Sequence, residues 1–403
     1  MQTSISEQFL ATASGRAAEK ILRSCVHCGF CTATCPTYQL SGNELEGPRG
    51  RIYLIKQLLE GEIVTAVTQQ HLDSCLNCRS CETTCPSGVQ YGHLLDIGRE
   101  LVDQQVLRSR TDRIQRYLLR KLLPYAQRFS ILLRIGQWLR PILPAGIKQK
   151  VPLKQTATIR PQIRHQRRMI ILEGCTQSAA TPNTNDAASR VLDRLGISLI
   201  SPAGQGCCGA VSQHLSAAAE AKTFMKRNIN AWWPDIEQGA EAIIVTASGC
   251  GVQVKDYGQL LYDDVDYADK AKKVSELTKD LSEVIAGENL DALNITNKQR
   301  IAFHSPCTLQ HGQQLNGQVE TILTGLGFTL TEVADSHLCC GSAGTYSLLQ
   351  KEKSALLLSN KLAALTADEP DIIVTANIGC QLHLGTQAKQ SVQHWIELLD
   401  QAD

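Results

Sequence analysis

The chain has 403 residues, of which 43% are hydrophobic, and it carries 40 basic and 39 acidic side chains. This composition predicts a globular protein of two or three domains. The N-terminus does not begin with charged residues followed by an apolar run, and no apolar stretch reaches the about 18–20 residues that a membrane-spanning helix needs. We therefore expect a cytoplasmic protein whose membrane contact, if any, is peripheral, on the inner face of the cytoplasmic membrane.

The chain contains 16 cysteines, which fall into four groups of four. Disulfides are rare in reducing compartments, so this many cysteines in a cytoplasmic protein indicates metal binding. The cysteines therefore carry most of the functional information in the sequence.

The first eight cysteines form two copies of C-x2-C-x2-C-x3-C-P, the first beginning at Cys25 and the second at Cys75. In paired motifs of this kind the first three cysteines bind one [4Fe–4S] cluster, and the fourth binds the neighbouring cluster. The predicted ligands are Cys25, Cys28, Cys31 and Cys85 for the first cluster, and Cys75, Cys78, Cys81 and Cys35 for the second. This crossed ligation would hold the two clusters close enough to exchange electrons.

Zinc is the alternative metal, because paired C-x2-C units often bind Zn²⁺. Zinc sites use two separated cysteine pairs, whereas each motif here has four closely spaced cysteines closed by a proline, Pro36 or Pro86. The spacing favours iron–sulfur clusters.

The last eight cysteines belong to a duplicated unit. In both copies 32 residues separate the first cysteine from an adjacent cysteine pair, and the flanking segments GCCGA and LCCGSAG match. The two sets are Cys175, Cys207, Cys208 and Cys250, then Cys307, Cys339, Cys340 and Cys380. Each set could bind an additional iron–sulfur cluster or zinc, or act as a redox dithiol.

Short β-branched runs alternate with helical patterns in each duplicated unit, which is typical of parallel α/β folding. The predicted strands are 169–172, 197–200 and 242–246 in the first copy, and 301–304, 329–333 and 372–375 in the second. Since sites in such folds lie beyond the carboxyl ends of the strands, the four cysteines of each copy should converge there. The sequence thus predicts an α+β protein, with a mainly helical ferredoxin-like domain before two tandem α/β domains.

The predicted domain boundaries follow the cysteine groups. They are 1–107 for the helical ferredoxin-like domain, 108–168 for a basic linker or docking segment, 169–295 for the first cysteine-rich domain and 296–403 for the second. Between Gln104 and Leu172 the chain has 16 Lys or Arg residues and one acid, Asp112. Arginines alternate there with Leu, Phe and Trp, so this segment is a solvated connector, a docking face for an acidic partner or a membrane-surface element. No nucleic-acid recognition module accompanies the charge.

Seven segments between residues 25 and 383 resemble the iron–sulfur subunits of bacterial glycolate oxidases. They are CVHCGFCTATCPTYQL, GPRGRIYLIKQ, CRSCETTCPSGV, TASGCG, FHSPCTLQHG, HLCCGSAGTY and TANIGCQLH. The N-terminal part also resembles the two-cluster ferredoxin domains of succinate dehydrogenases and heterodisulfide reductases, and the duplicated unit is similar to CCG domains. That wider CCG family ends each repeat in C-x-x-C, whereas here Gln253 and His383 stand at the last position. His383 could replace the missing ligand, although a lone histidine is more often structural; the same caution holds for His304 and His311.

The resemblance implies a flavin-containing partner that oxidises glycolate to glyoxylate and transfers electrons to this subunit, with a quinone as the eventual acceptor. The sequence has neither a G-x-G-x-x-G motif after a strand nor a G-x-x-x-x-G-K-[ST] motif, so we expect no nucleotide pocket of its own and little substrate oxidation by this chain alone. The alternatives are a thiol–disulfide reductase that uses the CCG cysteines, a scaffold that binds zinc, and the iron–sulfur subunit of a lactate-type dehydrogenase.

Overall fold

Helices build the first third of the chain. The computed structural model describes residues 1–296 and 299–401. The helices of the N-terminal domain are α1 Glu7–Leu10, α2 Ala13–Ser24, α3 Phe30–Ala33, α4 Pro36–Ser41, α5 Pro48–Leu59, α6 Ala66–Asp73, α7 Ser80–Thr83 and α8 Tyr91–Gln105. The apolar faces of α2, α5 and α8 form the domain core, in which Leu22, Ile55 and Leu94 are fully buried. The short helices α3 and α7 carry the third cysteine of each motif, so this core holds the ligand loops in place.

Three further helices occupy the basic segment: α9 Arg110–Leu122, α10 Ala126–Leu139 and α11 Ala145–Lys148. None of them contains a buried residue. Helix α9 is attached by ion pairs instead, because Arg116 binds Asp73 at 2.9 Å and Lys121 binds Glu220 at 2.5 Å. The segment therefore lies on the surface and connects the helical domain to the first repeat.

Each duplicated unit forms a four-stranded, wholly parallel sheet. The first contains β1 Arg167–Ile171, β2 Ile197–Ile200, β3 Ile243–Val245 and β4 Thr278–Asp280 in the order β2-β1-β3-β4. The second contains β5 Arg300–His304, β6 Thr329–Leu330, β7 Ile372–Thr375 and β8 Ser391–His394 in the order β6-β5-β7-β8. The identical order confirms the duplication and the predicted parallel sheets. The sequence did not predict the edge strands β4 and β8, since both carry polar residues in place of a β-branched apolar run.

Twelve helices connect and cover these strands. They are α12 Gln177–Ala180, α13 Pro182–Arg194, α14 Ala210–His214, α15 Ala218–Glu237, α16 Ser248–Lys255, α17 Tyr257–Leu260, α18 Ala268–Leu277, α19 Leu281–Ile285, α20 Gln318–Gly325, α21 Tyr346–Leu349, α22 Lys351–Thr366 and α23 Ile378–Leu384. Single turns of 3₁₀-helix lie at Glu44–Glu46, Arg140–Ile142, Leu290–Ala292 and Trp395–Leu398, and a π-helical turn lies at Thr308–Gly312. No helix in the described part of the chain combines the length and apolarity needed to cross a bilayer.

The two repeats share one apolar core. It contains Ile171 and Ile244 from the first sheet together with Phe303, Val374 and Trp395 from the second repeat. The opposite face of the first sheet is covered by α15 and that of the second by α22. The shared core therefore joins the two repeats.

A glycine follows each adjacent cysteine pair, and the fold requires it. Gly209 and Gly341 have φ values of +94° and +87°, in the left-handed region that L side chains rarely adopt. A Cβ atom at Gly341 would lie 2.8 Å from the backbone oxygen of Ser354, on helix α22. The chain must pass this close to helix α22 for the cysteine pair to reach the end of the sheet.

We expect Gly341→Ala to destabilise the protein by about 2–4 kcal/mol, because it combines left-handed strain with a backbone clash. Gly344→Ala is the matched control, since Gly344 has φ +62° but a Cβ atom there would meet no other atom within 4 Å. Strain alone should cost the control about 1 kcal/mol. Thermal unfolding followed by circular dichroism at equal iron content compares the two, and equal midpoints would contradict the clash.

Candidate metal centres

Both N-terminal motifs turn through left-handed residues between their cysteines. His27 and Gly29 in the first loop, and Asn77 and Arg79 in the second, have φ values from +51° to +86°. Each pair stands at the same two positions of its motif, so the two loops have the same shape. This turn directs successive thiols toward one centre.

The eight thiols of these motifs line two pockets. Cys25, Cys28, Cys31 and Cys85 border the first pocket, and Cys35, Cys75, Cys78 and Cys81 border the second. We call them the first and second cluster sites. Cys81, Pro48 and Tyr91 border both pockets, so the two sites are neighbours. The fourth cysteine of each motif lies with the first three of the other, which is the arrangement that crossed ligation needs.

The thiols in both cluster sites are difficult to ionise without a cation. Burial raises the pKa of Cys31 to about 11, and the nearby Cys25 and Cys85 contribute to the rise. Burial likewise raises the pKa of Cys78 and of Cys81 well above the usual range. Closely spaced thiols of this kind suit an iron–sulfur cluster, because the positive charge of the iron favours deprotonation of the thiols that bind it.

A buried arginine lies beside the second cluster site. Arg51 is fully buried and forms an ion pair with Glu46 at 3.0 Å, while its Nε donates to the carbonyl of His71. Burial works against its charge, but the neighbouring Cys75 and Tyr91 raise the pKa of the guanidinium above its normal value. A fixed positive charge here offsets the negative charge of a thiolate cluster. Arg51 was not predicted from the sequence, and only its place in the segment GPRGRIYLIKQ, between the two motifs, could have suggested it.

The four cysteines of the first repeat converge beyond the ends of β1, β2 and β3, as predicted. Sγ of Cys175 lies 3.6 Å from Sγ of Cys207, and Cys208 interacts with both Cys207 and Cys250. We call this group the first cysteine-rich site. Contact with Cys208, reinforced by burial, raises the pKa of Cys250 well above the usual range.

The second repeat builds an equivalent site from Cys307, Cys339, Cys340 and Cys380. Sγ of Cys307 lies 3.8 Å from Sγ of Cys339, and Cys340 interacts with Cys339 and Cys380. In this second cysteine-rich site, contact with Cys339 and burial raise the pKa of Cys307 well above the usual range. Four buried thiols in mutual contact are better suited to binding a thiophilic metal than to a redox reaction that requires access from solvent.

The three histidines that flank the second cysteine-rich site differ in their contacts. His311 contacts Thr83 Oγ1 through Nδ1 and the carbonyl of His337 through Nε2. Nε2 of His383 lies 3.2 Å from Ser354 Oγ. A ring nitrogen of His304 and the Sγ atoms of Cys340 and Cys380 instead lie within 4.8 Å of one another, and burial lowers the pKa of His304 to about 3, so its ring is neutral. The structure therefore directs His304, and not His383, toward the thiols.

The second cluster site lies against the second cysteine-rich site. Cys78 is buried in one apolar cluster with Cys307, Cys339 and Tyr346. Its thiol is close enough to those of Cys307 and Cys339 to interact with them electrostatically. Nothing in the sequence predicted this contact, because it joins residues more than 200 positions apart.

Comparison with known proteins agrees with this geometry. Residues 21–89 match the 4Fe-4S dicluster domain family, and residues 169–255 and 301–385 match the cysteine-rich domain family. The chain is 56% identical to the glycolate oxidase iron–sulfur subunit of Escherichia coli (strain K12), over 100% of this chain and 99% of that protein. It is 31% identical to a probable glycolate oxidase iron–sulfur subunit of Bacillus subtilis (strain 168), over 96% of this chain and 95% of that protein.

A more distant relative is lactate utilization protein A of Bacillus subtilis (strain 168), which is 26% identical over 52% of this chain and 87% of that protein. The matches confirm the predicted fold class, the [4Fe–4S] dicluster domain and the two cysteine-rich domains. The individual ligands remain a prediction.

Two double variants test the crossed ligand sets. If ligation is crossed, Cys25→Ala with Cys85→Ala removes two ligands of one cluster, and the protein should lose about four irons. Cys25→Ala with Cys35→Ala removes one ligand from each cluster, and the loss should approach eight irons. Iron analysis after anaerobic purification measures both. The reverse result would show that each motif binds its own cluster.

Proposed function

Because this chain belongs to the family of glycolate oxidase iron–sulfur subunits, we propose that it accepts electrons from a flavin-containing partner that oxidises glycolate to glyoxylate. It would then pass them toward a quinone. Glycolate oxidation releases two electrons and two protons, and the partner's flavin accepts both electrons. The two [4Fe–4S] clusters supply one-electron carriers.

The observation that supports this proposal is the order of the cysteine sites from the surface to the interior. Cys28 is exposed at the edge of the first cluster site, beside the exposed side chains of Val26 and Phe30. The second cluster site follows across Tyr91, and Cys78 then lies against Cys307. An apolar, exposed edge fits a protein partner, so we place the flavin subunit at Cys28.

The buried cysteines argue against the alternative of a thiol–disulfide reductase. Cys175, Cys207 and Cys208 are buried, as are all four cysteines of the second cysteine-rich site. A disulfide substrate must reach an accessible thiolate for exchange to occur. We therefore propose that both cysteine-rich sites bind metal and that the chain alone does not oxidise the substrate.

The complex with its flavin partner should show cluster reduction by the substrate. Glycolate added anaerobically should produce the EPR signal of reduced [4Fe–4S] clusters within the complex, because the flavin transfers electrons to the first cluster site. The isolated chain with glycolate is the negative control, and lactate tests the lactate-type alternative. Reduction of the flavin without any cluster signal would rule out the relay.

We also propose that the basic segment attaches the protein to an anionic membrane surface, where a quinone is available. Arg113 and Arg134 have no acidic partner in the described part of the chain, and Trp138 is 79% exposed. Further exposed apolar side chains lie on the same helices, at Ile114, Leu118, Ile131, Leu132 and Ile135. Exposed apolar residues among unpaired cations are typical of interfacial helices.

Liposome pelleting tests this attachment. Binding to vesicles of anionic lipid should be strong at low ionic strength and weak at high salt, since surface charges are screened. Trp138→Ala should reduce the bound fraction several-fold. Tyr262→Ala, which removes an exposed aromatic outside the segment, should leave it unchanged. Absence of binding at low ionic strength would show that this surface serves a protein partner or only connects domains.

A further inference from the structure

The second cysteine-rich site has a histidine, His304, at a position where the first repeat has a leucine. His304 is the last residue of β5 and precedes Cys307 by three positions. Leu172 stands at the same distance before Cys175 in the first repeat. The duplication therefore kept the four cysteines of each site but placed a histidine three residues before the first cysteine in only one of them.

The ring of His304 is held by its neighbour in the sheet. His304 pairs with Thr375 of β7, and its Nδ1 lies 3.0 Å from Thr375 Oγ1. Thr375 is fully buried, and His304 is 2% exposed. This contact fixes the ring orientation, and when Nδ1 donates to Thr375 Oγ1, Nε2 has a free lone pair, as in histidines that bind metals.

The other nitrogen of this ring has no partner. His304 Nε2 is buried and accepts or donates no hydrogen bond in the described part of the chain. A buried polar atom without a partner is costly, and a ligand at Nε2 would remove that cost. The thiols of Cys340 and Cys380 are the metal-binding groups grouped with this ring.

We propose that Nε2 of His304 is a metal ligand, so that the second cysteine-rich site binds iron of an iron–sulfur centre through thiolates and one imidazole, whereas the first uses thiolates alone. The inference rests on the proposed function, since it assigns a ligand to the site next to Cys78 in the relay. The imidazole gives the second site a neutral nitrogen donor among its thiolates. Histidine ligation raises the reduction potential of an iron–sulfur centre, so electrons would accumulate at the second site.

A second positive influence acts in the same direction. Lys361 is buried beside the site, where its Nζ donates to the carbonyl of Asp335 at 2.7 Å. Its ammonium interacts with the thiols of Cys339 and Cys340. The first cysteine-rich site is instead neighboured by Tyr257, whose hydroxyl donates to the carbonyl of Cys208. The groups that surround the two sites are therefore different.

Pulsed EPR of the full-length protein labelled with ¹⁵N-histidine tests the ligand directly, with dithionite as reductant so that no flavin partner is needed. We expect a strongly coupled histidine nitrogen on one reduced centre and more than about eight irons per chain. His304→Cys should keep the iron and lose the nitrogen coupling, and His304→Ala should lose iron from the second cysteine-rich site only. His383→Gln is the control, because its Nε2 contacts Ser354, and it should keep both signals.

Several results would overturn the assignment. They are a wild-type protein without a coupled histidine nitrogen, a His304→Ala variant that retains all its iron, or zinc in place of iron at this site. These readouts are independent of glycolate. A relay that fails with glycolate while the nitrogen coupling is present would therefore contradict the proposed function and not the ligand.

Discussion

Negative charge on buried sulfur is the constraint on which the rest of this structure depends. Each of the four groups contains thiols packed closely together, and burial together with thiol contact raises the pKa of Cys78, Cys250 and Cys307. Such thiols can become ligands only when cations enter with them. The fold supplies part of the positive charge through Arg51 and Lys361. A bound metal would supply the rest, so metal binding and correct folding should depend on each other.

The helical domain and the repeats meet through polar contacts around a small apolar contact. Arg79 binds Asp256 at 2.5 Å, and Lys353 binds both Glu46 at 3.0 Å and Ser74 at 2.7 Å. These charged pairs surround the packing of Cys78 against the second cysteine-rich site. The ion pairs hold the helical domain and the repeats in one fixed arrangement, and the proposed electron relay needs such an arrangement because electron transfer requires short distances between centres.

In the basic segment, some arginines form internal ion pairs and others remain available for binding a partner. Arg108 and Arg116 are used internally, since both bind Asp73. Arg113 and Arg134 form no such ion pair in the described residues, and exposed apolar side chains lie beside them. The segment therefore both attaches the helical domain to the first repeat and leaves a cationic, apolar surface for another binding partner. A count of charges along the sequence cannot separate these two roles.

The sequence by itself determined the dicluster domain, the duplication and the parallel sheets, because these depend on local spacing: C-x2-C loops, 32-residue intervals and β-branched runs such as Ile372–Thr375. Tertiary structure alone decided which cysteine groups are neighbours, and that His304 rather than His383 faces the thiols. It also placed the short polar strands β4 and β8. The reason is physical. Residue spacing determines structure only between residues that are close in the chain, whereas the contact of Cys78 with Cys307 depends on how whole domains pack together.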